Sequence, residues 1–312
     1  MSDYITIDGG TTNTRISLVS DRKVIDTMKC NVGARKSIDN KTLLIETIKN
    51  GIHELLQKNQ FSESNITKIL ASGMITSELG LINLPHITAP AGISELHSSM
   101  HEVPFTDISS VPFVFMRGVK TNCTALENAD MMRGEETELM GIFNGEGIYL
   151  LPGSHSKIIT VDSNCRILDF KTMLTGEMIY ALSEDTILKD CVNITSAVLD
   201  EEYLLNGYEY CKEHGTSEAL FKVRILKTIF SKDPSHIYSF YMGIILCSEI
   251  QYLLSLDAKR FFIGGAKPIK EALCTLLQNL SASDVIKLSE EAVAHSTMLG
   301  MIKIYEYGCE YH

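Results

Sequence analysis

The sequence predicts an α/β protein built of two related domains. Three observations carry this reading. The 312 residues exceed what one hydrophobic core ordinarily organises, so two domains of ordinary size are expected. A strand, a small glycine-bearing loop, a second strand, a tight turn and a third strand follow one another over residues 4–28. The same succession returns over residues 147–172 with different side chains, which is how a duplicated α/β unit reads.

In the first copy, Tyr4 to Ile7 is an apolar strand ending at Asp8-Gly9-Gly10. Thr14 to Val19 alternates, with Ile16 and Leu18 on one face and Arg15, Ser17 and Val19 on the other. Ser20-Asp21-Arg22 forms a turn, and Lys23 to Met28 returns. Leu43, Leu44, Ile48, Ile52, Leu55 and Leu56 recur at helical spacing and predict a helix over Thr42 to Lys58; Lys68 to Ala71 is a short strand ending in Ser72-Gly73. In the second copy the strands are Ile148 to Leu151, Lys157 to Val161 and Arg166 to Phe170, separated by Pro152-Gly153-Ser154-His155-Ser156 and by a turn over Asp162 to Cys165. Helices are then expected over Glu218 to Phe230 and Ile237 to Leu256. A strand over Arg260 to Ile263 runs into Gly264-Gly265, and Pro268 opens a helix to Asn279. Val285 to Leu288 is a last strand and Glu290 to Tyr305 a last helix. The glycine-rich turn Asn144-Gly145-Glu146-Gly147 marks the boundary. It gives domains 1–145 and 146–312, with the last helix a candidate to pack back on the first.

Composition excludes several classes. Hydrophobic residues make up 45% and charged residues 21%, an ordinary globular balance. The net charge of −11 comes with no cluster of Lys and Arg, so nucleic acid is not expected as a partner. Any phosphate must then be held locally, by backbone amides and Mg²⁺. Cys30, Cys123, Cys165, Cys191, Cys211, Cys247, Cys274 and Cys309 form no CxxC pair, which reads as reduced thiols of a cytoplasmic protein. Asp3 and Asp8 stand where a signal peptide would be basic and then apolar. No continuous apolar run of membrane-spanning length stands out, so no membrane partner is expected.

Four segments carry candidate chemistry. In Asp8-Gly9-Gly10-Thr11-Thr12-Asn13-Thr14, Gly9 and Gly10 let a phosphate approach the backbone, Thr11 and Thr12 add hydroxyl donors, and Asp8 can hold Mg²⁺ directly or through water. A capped hairpin turn would read the same way. Gly153-Ser154-His155-Ser156-Lys157 occupies the equivalent place in the second copy. Two such loops facing each other could cradle β- and γ-phosphates, with Lys157 as a point charge; His155 alone reads more simply as a loop histidine. Gly264-Gly265 suits close approach to an adenine or its ribose, and equally a plain strand-to-helix turn. In Asp130 to Glu138, a carboxylate of Glu135 or Glu136 could accept a hydroxyl proton and Arg133 could pair with a substrate carboxylate. On composition alone that segment reads as an acidic, capped helix start.

Together these residues resemble a known family. The paired loops and the later Gly-Gly turn resemble the phosphate-1, phosphate-2 and adenosine motifs of actin, the sugar kinases and the heat-shock ATPases. More specifically the chain resembles the 2-dehydro-3-deoxygalactonokinase family. The matches are Ile7 to Arg15, Ala71-Ser72-Gly73-Met74-Ile75, Ala89-Pro90-Ala91-Gly92, Met132-Arg133-Gly134-Glu135-Glu136-Thr137, Leu151 to Lys157, Leu174-Thr175-Gly176-Glu177, Phe221-Lys222-Val223-Arg224 and Ile263-Gly264-Gly265. The chain departs from the family in having no tryptophan, with Gly9, Ile158 and Leu81 at or near positions where the family often has it; the shape of the acceptor pocket is the part this touches.

The resemblance implies two ribonuclease H-like domains, a duplicated actin-like ATPase fold with an interdomain cleft. It implies ATP and Mg²⁺ as cofactors and transfer of the γ-phosphate to the 6-hydroxyl of 2-dehydro-3-deoxy-D-galactonate in galactonate breakdown. Glu135 or Glu136 becomes the base, Asp8 the metal ligand, and Asn13, Arg15 and Arg133 the substrate-binding residues. A phosphohydrolase of the same superfamily, or a kinase for a different sugar or sugar acid, is the alternative; a nucleotide-dependent sensor is the rival from another class. A homodimer is compatible with the sequence, which does not determine it.

Overall fold

The computed structural model describes residues 2–37, 41–193 and 198–308, and the chain divides into two compact units. Unit 1 comprises residues 1–146, 161–170 and 291–312; unit 2 comprises 147–160 and 171–290.

Unit 1 opens with β1 (Asp3–Gly9), β2 (Thr14–Ser20) and β3 (Lys23–Cys30), an antiparallel meander in which Ile7 pairs with Ile16 and Asp8 with Arg15. The helix α1 (Lys41–Lys58) follows, then β4 (Ile66–Gly73), which lies parallel to β1 so that Gly9 registers with Gly73. Next come β5 (Ile87–Thr88), α2 (Ile93–Ser98), β6 (His101–Val103), β7 (Phe113–Phe115), β8 (Val119–Lys120), β9 (Met131–Met132) and α3 (Glu135–Ile142). The main sheet has the order β3-β2-β1-β4-β7-β6, and β5, β8 and β9 form a small second sheet. Central β1 is apolar because both its faces are covered. Its Ile5 and Ile7 share one core with Ile16, Leu18, the α1 stripe Leu44, Ile48, Ile52 and Leu55, and the stacked Phe113 and Phe115.

Unit 2 holds β10 (Gly147–Leu151), β11 (Ser156–Val161), β12 (Ile167–Met173), α4 (Thr175–Glu184), α5 (Glu201–His214), α6 (Thr216–Thr228), α7 (Pro234–Ser255), β13 (Arg260–Ile263), α8 (Ile269–Leu280) and β14 (Asp284–Lys287). Its sheet has the order β12-β11-β10-β13-β14, with β10, β13 and β14 parallel. The first five strands of the unit 1 sheet run in the same order, meander first and parallel strands after, so the duplication read from the loops is present in the topology. The tip of the β11–β12 hairpin, residues 161–170, clusters with unit 1, where Ile167 bridges to Ala91.

The chain then makes α9 (Glu290–Ala294) and α10 (Ser296–Glu306). The sequence predicts one helix here, and the structure breaks it at His295, whose φ of −108° and ψ of 2° leave the helical region. Helix α10 packs on α3 at very close range: a Cβ on Gly141 would lie 1.9 Å from the Ser296 carbonyl oxygen, and one on Gly300 1.8 Å from that of Thr137. Tyr4 and Arg22 both donate to the Glu306 carboxylate, and Lys303 to the Met140 carbonyl.

Helix α7 corrects one sequence expectation. By length and composition it could cross a membrane, but 78% of that stretch is buried in the protein and Glu249 sits within it. A helix apolar all round is a core helix when the fold covers every face, and α7 lies at the centre of the unit 2 core with Leu204, Tyr208, Leu273 and Leu277. Among the described residues every cysteine is free.

Candidate active site

The site in unit 1 forms where β1 and β4 end side by side. Ligands of α/β sheets bind outside the carboxyl ends of parallel strands, and here the chain must be thin for backbone to meet backbone. Gly73 has φ +86°, and a Cβ on it would lie 2.6 Å from the Gly9 carbonyl oxygen. Gly134, at φ +112°, brings the start of α3 to the same place, its added Cβ 3.2 Å from the Gly73 Cα. Ser72 and Thr137 share a buried 2.8 Å hydrogen bond that joins β4 to α3.

The first loop lies beside this junction. The Gly10 amide donates to the Asn13 carbonyl at 2.9 Å, and Ala34 and Arg35 donate to the carbonyls of Gly10 and Thr11. Thr11 and Thr12 are exposed, Asn13 half-buried. Asp8, at the end of β1, is 3.7 Å from the Arg15 guanidinium; their side chains are 32% and 59% exposed. Burial pushes the Asp8 carboxyl up, Arg15 opposes this, and Glu135 adds to it.

The two glutamates that the sequence could not separate have different environments. Glu136 is wholly buried, its carboxylate turned back to accept from the Gly134 amide (3.0 and 2.8 Å) and the Thr137 hydroxyl (3.0 Å). Burial, then the charge of Glu135, pushes it up to about 7. Glu135 is half-buried, accepts from the Arg133 amide at 3.0 Å, and lies in the electrostatic reach of Asp8 and Glu138. Glu138 is the residue the sequence reading passed over. Its spacing of three from Glu135 puts both on one helix face, and burial with the charges of Glu135 and Asp8 pushes it up to about 8. Asp8 and Glu138 thus lie in the electrostatic reach of Arg15, of Glu135 and of each other.

Arg133 is placed differently from expectation. Its Nη1 donates to the Thr76 carbonyl (2.6 Å) and hydroxyl (2.7 Å), and its Nη2 to the Leu84 carbonyl (2.9 Å) with His86 Nδ1 at 3.4 Å. Burial, then Arg133 and Lys120, lowers His86 to about 4, which keeps it neutral beside the guanidinium. Two-point pairing with a substrate carboxylate would need donors that this structure commits to the segment between Thr76 and His86.

The site in unit 2 joins three of the predicted segments. Gly153 and Ser154 are exposed and His155 half-buried, whereas Ser156 and Lys157 are buried as the first residues of β11. Lys157, expected to offer an ammonium to phosphate, is only 4% exposed. The Gly264-Gly265 turn packs on the base of the loop: a Cβ on Gly265, at φ +72°, would lie 2.5 Å from Pro152 Cγ, and the Gly264 amide donates to the Leu150 carbonyl. The segment Thr175-Gly176-Glu177 is the start of α4 and lies on the loop. A Cβ on Gly176 would be 2.2 Å from the Gly153 carbonyl oxygen, the Glu177 amide donates to the Ser154 carbonyl at 3.1 Å, and the Glu177 carboxylate is 3.2 Å from His155 Nε2. Ser156 and Thr175 both donate to Glu249 of α7, a partner that sequence reasoning missed.

No group of three or more His, Cys, Asp or Glu side chains among the described residues is arranged to enclose a metal ion alone. A cation beside Asp8 would favour its ionised form against the burial that raises it.

The doubled sheet order and the glycine junctions define the class: this is the actin-like ATPase fold of the sugar kinases. A crystal structure assigned as a 2-dehydro-3-deoxygalactonokinase from Sinorhizobium meliloti superposes with a TM-score of 0.79 over 97% of this chain and 96% of that one, at 19% identity. The activator of the 2-hydroxyisocaproyl-CoA dehydratase from Clostridium difficile, with bound ADPNP, shares the fold at a TM-score of 0.52 and 10% identity, over 99% and 98% of the two chains. The sequence profile of the family described as 2-keto-3-deoxy-galactonokinase matches residues 8–300. The 2-dehydro-3-deoxygalactonokinase of Escherichia coli (strain K12) is 24% identical over 255 residues, 79% of each chain. A protein of Rhizobium meliloti (strain 1021) assigned the same activity is 26% identical over 197 residues, 61% of this chain and 59% of that one. The chain belongs to the 2-keto-3-deoxy-galactonokinase family. It is an ATP-dependent phosphotransferase, a kinase.

Proposed function

We propose that the protein transfers the γ-phosphoryl group of ATP to the 6-hydroxyl of 2-dehydro-3-deoxy-D-galactonate, in galactonate breakdown in the cytoplasm. The observation that carries this reading is the convergence of Asp8, Arg15 and Glu135 at the paired ends of β1 and β4, in a chain of this family.

In the proposed reaction Arg15 pairs with the carboxylate of the acid; its guanidinium is more than half exposed. Asn13 lies beside it in the loop. Glu135 accepts the proton of the 6-hydroxyl as the new oxygen–phosphorus bond forms and the bond to the β-phosphate oxygen breaks. Arg133 holds the segment between Thr76 and His86 in place. The exposed residues Thr11 and Thr12 and the Gly153-Ser154-His155 loop bind phosphate oxygens, and Gly264-Gly265 lies against the adenosine. Asp8 would hold Mg²⁺ directly or through water. Bound there with ATP, the ion neutralises phosphate charge.

The test is ADP release from Mg-ATP in a coupled assay, with 2-dehydro-3-deoxy-D-galactonate and its gluconate epimer as acceptors. Turnover with the galactonate acid that collapses in Glu135→Gln supports the reading. Turnover with the gluconate epimer alone moves the substrate assignment. ATP hydrolysis that neither acid stimulates favours the phosphohydrolase.

A further inference from the structure

Glu249 lies inside α7 with 2% of its surface exposed. Its Oε1 accepts from the Ser156 hydroxyl at 2.7 Å and its Oε2 from the Thr175 hydroxyl at 2.6 Å. Both donors are themselves buried. No Lys, Arg or His among the described residues forms an ion pair with it. Burial raises its carboxyl pKa, and the two hydroxyls oppose that rise.

This arrangement has little to recommend it as a source of stability. A carboxylate buried against hydroxyls alone carries a desolvation cost that a packed aliphatic side chain would avoid. What the carboxylate supplies is geometry. Its two oxygens stand a fixed distance apart, and each grips the first residue of a different element: Ser156 begins β11, directly after the second loop, and Thr175 begins α4. The start of α4 in turn lies on that loop, through Gly176 against Gly153 and Glu177 against Ser154 and His155.

We infer that Glu249 is a positioning residue for ATP binding, which clamps Ser156 and Thr175 so that Gly153-Ser154-His155 is presented to the phosphates in one shape. The inference rests on the reading that this loop takes the nucleotide. It concerns a residue on an element that contributes nothing else to the proposed site.

The test separates the two nucleotide-side and acceptor-side constants. Glu249→Leu is expected to keep its unfolding midpoint, to raise KM for Mg-ATP about tenfold or more, and to leave KM for the acid within about twofold. Glu249→Gln, which keeps one acceptor oxygen, should fall between it and the wild type. An unchanged KM for Mg-ATP, or a loss in kcat alone, overturns the inference. Should Glu249→Leu fail to fold, Ser156→Ala and Thr175→Val each remove one bond and are read by the same split. Failure of the kinase reading shows separately, as a wild type that turns over no acid. The variants are then compared by calorimetric titration with Mg-ADP: about tenfold weaker binding supports the inference, unchanged affinity overturns it, and a wild type that binds no Mg-ADP overturns both.

Discussion

The carbonyl oxygen of Gly9 and the α-carbon of Gly73 leave no room for a side chain between them: a Cβ on Gly73 would stand 2.6 Å from that oxygen. Gly73 also has φ +86°, which an L side chain adopts only under strain. Gly73→Ala should lose about 1–3 kcal/mol from the backbone alone, more with the clash, and should lose turnover with it. Urea unfolding and the ADP-release assay check this together. A variant with native stability and native turnover would mean the strand ends can part without consequence.

Glu135 and Glu136 are neighbours in sequence with opposite expected phenotypes. Glu135→Gln should fold normally and lower kcat by at least about 100-fold, the usual contribution of a general base. Glu136→Gln should leave the reacting groups in place and act mainly on stability, because its carboxylate bonds the local chain, at Gly134, Thr137 and its own amide. Matched kcat and unfolding measurements on the two variants separate the roles, and the reverse pattern would exchange them.

The buried Glu136 gives stability a distinctive slope with pH. Its carboxyl is raised from the ordinary 4.5 to about 7, so the folded state holds that proton more tightly than the unfolded chain. The contribution is full below the ordinary value and is lost as pH rises through about 7, a total of about 3 kcal/mol at most. Glu138 acts in the same direction up to about 8. Unfolding free energy should therefore fall from about pH 5 to about pH 8, less steeply in Glu136→Gln. Identical slopes in variant and wild type would show that Glu136 is already ionised in the folded protein at the low end.

Arg15 and Arg133 should also part company. Arg15→Gln is expected to raise KM for the sugar acid by tenfold or more with little change in KM for ATP, since the proposed pairing with the acid is charge-assisted. Arg133→Lys keeps charge but cannot fork between Thr76 and Leu84; it should lower thermal stability and kcat together. Substrate kinetics beside a thermal melt read both. If Arg133→Lys alone raises KM for the acid, the pairing belongs to Arg133.

A methyl group at Gly176 would meet the Gly153 carbonyl oxygen at 2.2 Å. Gly176→Ala must lift α4 off the second loop, and KM for ATP should rise while the acid's KM stays put. Equal changes in both constants would point to general damage instead.

Much of the architecture was legible because its signals are local. Glycines at strand ends, the alternation in Thr14 to Val19 and the α1 stripe each announce an element within a few residues, and their double occurrence announced the duplication. Short elements carried no such signal: β6 and β7 are three residues each, and the break at His295 has no neighbouring glycine or proline to mark it. The site divides the same way. Loop residues could be named from glycine chemistry. The choice between Glu135 and Glu136 could not, since it depends on which one the fold buries. Nor could Arg133's commitment to Thr76 and Leu84, 57 and 49 residues away, or the bond from Ser156 to Glu249 across 93 residues.

Helix α10 completes the unit that the chain begins. Its contacts with Tyr4, Arg22 and Met140 bring later residues onto much earlier ones, whereas unit 2 lies wholly within 147–290. As the ribosome delivers the chain, the second unit has all its residues before the first has its final helix. The earlier part of unit 1 must therefore wait, with the α3 face that α10 will cover still open to water, until α10 itself has been made.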